Sequence, residues 1–188
     1  MMRLFVGLAP PAAALDHLEA ACAPFRPSRG DLRWTSRELW HVTLAFLGEA
    51  GEESLARLLP RLERAARRHL AFDLSLAGAG AFPSLARANV LWGGVSGDRK
   101  ALGELAMSVS AGARRAGAPP PDEGRRYRPH VTLARCRAPV DVRPIVAELS
   151  GYQGPAWVAE EIYLIRSTLG GTPRYETLGS WKLRPRTG

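Results

Sequence analysis

The chain of 188 residues has little of what marks a metalloprotein, a disulfide scaffold or a membrane protein. Its two cysteines, Cys22 and Cys136, form neither a CxxC pair nor another ligand spacing, so two reduced thiols are expected, with no zinc site. No apolar run approaches the ~18 to 20 residues of a membrane span, and the N-terminus lacks the charged and apolar regions of a secretory leader. A cytoplasmic chain with no membrane partner is expected. Motifs for familiar chemistries are missing as well: there is no HExxH, no P-loop and no G-x-S-x-G, and Gly78 and Gly80 open no GxGxxG fingerprint. Neither a metal nor a cofactor is expected.

Lysine is scarce too. Lys100 and Lys182 are the two lysines among 26 basic residues, which outnumber 18 acidic ones and leave a net charge of +8. Clustered cations attract phosphates and release counterions on binding, so nucleotides or nucleic acids are the expected partner class. A codon bias toward Arg and Ala would give the same numbers. Hydrophobic content of 46% with 23% charged residues describes a soluble globular chain, whose length suits one domain or two small lobes sharing a core.

What is present is a repeated phrase. Of four histidines, two open identical pentapeptides, His41-Val42-Thr43-Leu44-Ala45 and His130-Val131-Thr132-Leu133-Ala134. Both are rich in β-branched and apolar residues and read as strands, in which side chains alternate between faces. Alternation puts His41, Thr43 and Ala45 on one face and Val42, Leu44 and Phe46 on the other. The second copy sorts in the same way. An imidazole and a hydroxyl then stand side by side over an apolar underside, and two such pairs facing each other would hold a small anion. His17 and His69, on predicted helices, read as structural.

The remaining elements follow from periodicity. Strands are expected at 3–8, 31–34, 72–76, 89–95, 157–158, 161–165 and 175–183. Helices are expected over 11–22, Glu52 to Arg68, Arg99 to Ala116 and 141–149, from apolar residues at three- and four-residue spacing. Phe82 to Arg87 reads as a turn-rich connection. The segment 117–129 carries Pro119-Pro120-Pro121, the turn signal Asp122-Glu123-Gly124 and then Arg125-Arg126-Tyr127-Arg128. Its arginines and tyrosine could contact phosphates and stack on a base, or form a solvated loop. Helices and strand groups recur in each half, with the motif histidines 89 residues apart. This points to an internal duplication giving two α+β lobes, with a motif strand from each lining one cleft.

Two imidazoles that titrate near neutrality can serve as base and acid in one turnover, and hydroxyls can donate to phosphoryl oxygens. A phosphodiester needs that combination and no metal. Taken with these motifs, the chain resembles the 2H phosphoesterase superfamily, and within it the bacterial and archaeal RNA 2′,3′-cyclic phosphodiesterases also called 2′-5′ RNA ligases. Further matches are Arg3-Leu4-Phe5-Val6, Arg33-Trp34, Leu39-Trp40-His41, Phe46-Leu47-Gly48-Glu49, Phe82-Pro83, Val90-Leu91-Trp92, Pro129-His130, Arg135, Tyr175 and Trp181.

The resemblance implies a single bilobal α+β domain over 1–188: two pseudo-symmetric antiparallel-sheet lobes with outer helices and a central cleft. It implies a metal-independent enzyme that opens a terminal 2′,3′-cyclic phosphate on RNA to a 2′-phosphate, some members also joining tRNA halves reversibly through a 2′-5′ linkage. His41 and His130 would be the acid and base, in either order, with Thr43 and Thr132 binding the phosphate. Arg135 matches the family's motif arginine, although strict alternation counts it on the face opposite His130 unless the strand ends or bulges. Asn89 stands where the family often has arginine. Candidate RNA contacts are Arg126, Tyr127, Arg128, Phe5 and Trp34, the aromatics as platforms for a terminal base. A monomer is expected. Two alternatives stay open: an RNA-end or nucleotide binding module, and a phosphodiesterase of small cyclic nucleotides.

Overall fold

Glu52–Arg68 and Arg99–Ala116 form helices with the bounds that their apolar periodicity sets, and these two helices tie the molecule together. In the computed structural model, which describes residues 2–121, 126–168 and 174–186, the elements in chain order are β1 (Met2–Leu8), α1 (Ala12–Cys22), β2 (Leu32–Trp34), β3 (Val42–Ala50), α2 (Glu52–Arg68), β4 (Phe72–Phe82), β5 (Ala88–Gly97), α3 (Arg99–Ala116), β6 (His130–Val140), α4 (Arg143–Glu148), β7 (Trp157–Ala159), β8 (Glu161–Thr168) and β9 (Arg174–Lys182). The turn signal at Asp122-Glu123-Gly124, with Arg125, lies outside the described residues. No helix among the described residues is long and apolar enough to cross a membrane.

Two antiparallel sheets result, one ordered β3-β1-β8-β9 and the other β2-β6-β5-β4-β7. One motif strand falls in each, as the duplication requires. The repeats, however, are not the lobes. Each repeat runs strand, helix, motif strand, helix, strand: β1-α1-β3-α2-β4, then β5-α3-β6-α4 with β8 as its last sheet-matched strand. In both, the first strand and the motif strand pair with each other, while the last strand crosses to the other sheet, so β3-β1-β8 answers to β6-β5-β4. The two lobes, each with one motif strand, are as expected, but the halves of the chain exchange strands between them, and β2, an N-terminal strand, pairs with β6 in the far sheet.

Helix placement follows from this exchange. α2 packs against α3, and α3 in turn touches β3 of one sheet and β4 of the other. A core of leucines runs through both lobes, among them Leu4, Leu18, Leu58, Leu62, Leu74, Leu91, Leu102, Leu105 and Leu133, each essentially fully buried. Burial of each such side chain contributes ~1.5 to 3 kcal/mol. Strand β4 continues past the expected 72–76 as far as Phe82, because Gly78 takes a positive φ of 64° at a register shift that keeps the strand paired with β5. The expected turn therefore shrinks to the five residues 83–87.

Candidate active site

Both motif strands bulge at the same place. In β3, Thr43 pairs with Gly7 and Ala45 with Val6, which leaves Leu44 as the extra residue. In β6, Thr132 pairs with Trp92 and Ala134 with Leu91, and Leu133 is extra. An inserted residue reverses the alternation beyond it. Ala45 and Leu47 are therefore buried with Val42 and Leu44, and Phe46 is 41% exposed. The expected sorting of Ala45 onto the histidine face, and of Phe46 onto the opposite one, is overturned.

The same shift moves Arg135 onto the face of His130 and Thr132. Ala134 goes into the core while Arg135 is exposed, and its charge acts on both His41 and His130. Because Phe46 and Arg135 each follow their histidine by five residues, they hold equivalent positions. One lobe presents an aromatic ring there and the other a guanidinium.

The two imidazoles are held alike. His41 Nδ1 lies 2.7 Å from the Leu39 carbonyl oxygen, and His130 Nδ1 lies 2.7 Å from that of Arg128. A carbonyl only accepts, so Nδ1 carries the proton and donates in both, leaving each Nε2 to exchange protons with a ligand. Aromatic rings fix the planes. His41 stacks on Phe5 at 4.4 Å and meets the edge of Tyr175 at 5.4 Å, while His130 meets Phe82 at 5.1 Å and Trp92 at 6.1 Å. Gly7 makes room for this, since a Cβ there would lie 3.0 Å from the Val42 carbonyl and 3.6 Å from the His41 ring.

Burial pushes the His41 pKa down to about 4 against the pull of the Leu39 carbonyl, with the charges of His130 and Arg135 adding to the fall. Burial, helped by Arg135, lowers His130 as well. Both shifts favour the neutral imidazole. An anion bound beside them would favour the charged form and raise both values.

A hydrogen bond ties the approach to β6 to the other motif strand. β3 is the outer strand of its sheet, so its far edge has carbonyls with no strand partner, and Tyr127, just before β6, donates its hydroxyl to the Thr43 carbonyl at 2.8 Å. Tyr127 is thus a tie between the strands, unlike the base platform expected of it. Phe5, 3% exposed, supports the His41 ring and presents no free face. Trp34 pairs with Ala134 on the side away from His130, where the Arg26 guanidinium covers its ring at 5.6 Å. Arg126 and Arg128 are exposed.

Three residues on the site's rim were not among the candidates for contact. Phe46 and Tyr175, 41% and 36% exposed, are the open aromatics beside Phe5. Arg33 sits directly opposite Arg135 across β2 and β6, and directly opposed residues share a face. The bulge that exposes Phe46 has no signal in the pattern; Arg33 could have been found from its alternation with Leu32 and Trp34. Among the described residues, no group of three or more His, Cys, Asp or Glu could hold a metal ion.

Two swapped lobes, each giving one H-x-T strand to a shared cleft, define the 2H phosphoesterase class. A profile of the 2′-5′ RNA ligase superfamily matches residues 8–171, and the chain belongs to that family. The Thermus thermophilus RNA 2′,3′-cyclic phosphodiesterase is 32% identical over all of this chain and 93% of its own. The Geobacillus stearothermophilus protein of the same name is 30% identical over 80% of this chain, which spans about half (47%) of that longer relative. Escherichia coli LigT in its apo form superposes with a TM-score of 0.79 at 27% identity, over 97% of this chain and 98% of its own. The same protein complexed with 3′-AMP gives 0.74 at 26% identity, over 97% of both.

Proposed function

We propose that this protein is a hydrolase that opens the 2′,3′-cyclic phosphate at an RNA 3′ end to a 2′-phosphate, without a metal and with His41 and His130 as the acid and base pair. The carrying observation is the matched pair of imidazoles, each with Nδ1 committed to a backbone carbonyl and Nε2 left for chemistry, on faces shared with Thr43, Thr132 and Arg135. The names of the relatives support the substrate class.

In this reaction the cyclic phosphate enters as an anion and raises the pKa of both rings, so that one takes up a proton. The neutral Nε2 removes a proton from water as its oxygen attacks phosphorus. The protonated imidazole gives its proton to O3′ as the P–O3′ bond breaks, leaving a 3′-hydroxyl and a 2′-phosphate. The Thr43 and Thr132 hydroxyls and the Arg135 guanidinium bind the non-bridging oxygens, where charge grows in the transition state. Arg33, opposite Arg135, extends the positive rim, and Phe46 and Tyr175 offer a stacking surface for the terminal base. Replacing water by a 5′-hydroxyl as nucleophile gives 2′-5′ ligation, which would join tRNA halves. The protein acts as a monomer in the cytoplasm.

The test is product analysis on an oligoribonucleotide ending in a 2′,3′-cyclic phosphate, with EDTA present, beside 2′,3′-cyclic mononucleotides. A 2′-phosphate product is expected. Replacing His41 or His130 by Ala lowers turnover by about 10²- to 10⁴-fold. Loss of activity on chelation, or a 3′-phosphate product, refutes the mechanism or the regiochemistry.

A further inference from the structure

On the helical layer, α2 and α3 run antiparallel and leave a groove between two matched stripes. Arg61, Arg64, Ala65 and Arg68 line it from α2, and Ser108, Ala111, Gly112 and Arg115 from α3, each set at the spacing of one helix face. Its volume is about 200 Å³. Gly112 lets the helices close up, since a Cβ there would stand 3.4 Å from that of Arg61. The floor is small side chains and the walls are guanidinium groups.

Charge pairing separates these arginines from their neighbours. On the same helix Arg57 pairs with Glu53 and Arg67 with Glu63, each one turn back. Arg61, Arg64, Arg68 and Arg115 have no ion pair among the described residues, and no carboxylate lines the groove. Glu104 lies a turn beyond Ser108, close enough to act on His69. Arg61 donates to the Arg57 carbonyl one turn back at 2.6 Å, and with no carboxylate beside them the like charges of Arg61, Arg64, Arg68 and Arg115 repel one another, so the groove favours an anion that can touch several of them at once. Arg61 to Arg68 spans about 10.5 Å along the axis, at ~1.5 Å per residue, which suits a repeating anion better than a single ion.

We propose that this groove is a second RNA-binding site, which holds the phosphodiester backbone of a single strand apart from the cyclic-phosphate cleft. The choice of RNA as the polyanion rests on the function proposed above. Planar guanidinium groups match phosphate oxygens two at a time, and the ~10.5 Å run of them suits a chain of phosphates.

The test measures binding of a labelled single-stranded oligoribonucleotide with a 3′-hydroxyl end, which is not a substrate, by fluorescence anisotropy across a salt series. The protein is compared with its Arg64→Gln/Arg68→Gln/Arg115→Gln variant. Each phosphate contact to a single strand contributes about 0.7 to the slope of log K against log salt, so the triple variant loses about 2 from that slope. Its turnover of a 2′,3′-cyclic mononucleotide stays at the parent level, which shows that the cleft is folded. An unchanged slope overturns the proposal. So does complete displacement of the oligonucleotide by a cyclic mononucleotide, which would place the RNA in the cleft, or tighter binding of an acidic peptide than of RNA. A parent that binds the oligonucleotide but opens no cyclic phosphate refutes the catalytic reading and leaves the groove standing.

Discussion

Lowering the pH from 7.5 to 5 tests the electrostatics of the cleft through folding stability, because His41 is far harder to protonate in the folded chain than in the unfolded one. Its pKa falls from 6.5 to about 4 on folding, chiefly through burial. The sign follows from proton counting. Below pH 6.5 the unfolded chain takes up a proton that the folded chain refuses, so stability is full above that value and drains away as pH falls toward 4. Between pH 7.5 and 5 this one group costs about 2 kcal/mol. At ~2 to 4 °C per kcal/mol for a chain of this size, the melting temperature drops by about 4 to 8 °C. His130 acts in the same direction. Asp31, Asp73 and Asp141, all with lowered values, lose their contributions only at more acid pH. Urea titrations of the protein and of its His41→Asn variant at pH 7.5, 6 and 5 isolate the term, since the variant cannot titrate there. The stability difference between the two narrows by about 2 kcal/mol toward pH 5. A constant difference would show that His41 is not desolvated in the fold. Sulfate, whose charge is fixed over this range, adds an arm: it stabilises the parent more strongly at pH 5 than at 7.5, because a bound anion restores the proton that burial expels.

Tyr127→Phe removes the tie between the motif strands and leaves the edge carbonyl of Thr43 without that donor; it lowers stability by about 1 kcal/mol in urea and reduces turnover on cyclic-phosphate RNA. Arg135→Gln raises KM for that substrate by about tenfold to a hundredfold, the worth of a hydrogen bond between charged groups, with less effect from Arg135→Lys. Gly80→Ala places a methyl inside the Trp92 ring and costs about 1 to 3 kcal/mol by thermal unfolding, with a shift in tryptophan fluorescence as the ring moves off His130.

Helices were legible wherever apolar spacing was strong: the bounds of α2 and α3 agree with those read from their leucines. The strands were legible as strands, and the repeated pentapeptide marked where two sheets would meet. Sheet membership was not. Nothing local to 72–97 says that the consecutive strands β4 and β5 join β6 and not β1 and β3, because a strand's partners are chosen by long-range packing and the same alternating stretch would fit either sheet. The part played by Trp34 and Phe5 is open in the sequence for a related reason. An aromatic residue next to a site residue in sequence reads equally as platform or as scaffold, and only the packing of His41 on Phe5 and of Arg26 on Trp34 separates the two.

The duplicated bulge shows how identical pentapeptides come to do unequal work. With strict alternation, each copy would offer the cleft one imidazole, one hydroxyl and an alanine methyl, and the two halves of the site would be interchangeable. The extra residue at Leu44 and Leu133 buries that alanine and turns the next side chain outward, to the first position at which the two sequences differ. There one strand presents a ring, Phe46, and the other a cation, Arg135. A cyclic phosphate at the end of an RNA has that same asymmetry, with an anion on one side and a base on the other. In the proposed reaction the repeat would supply the two proton carriers, and the bulges the difference that orients the substrate between them.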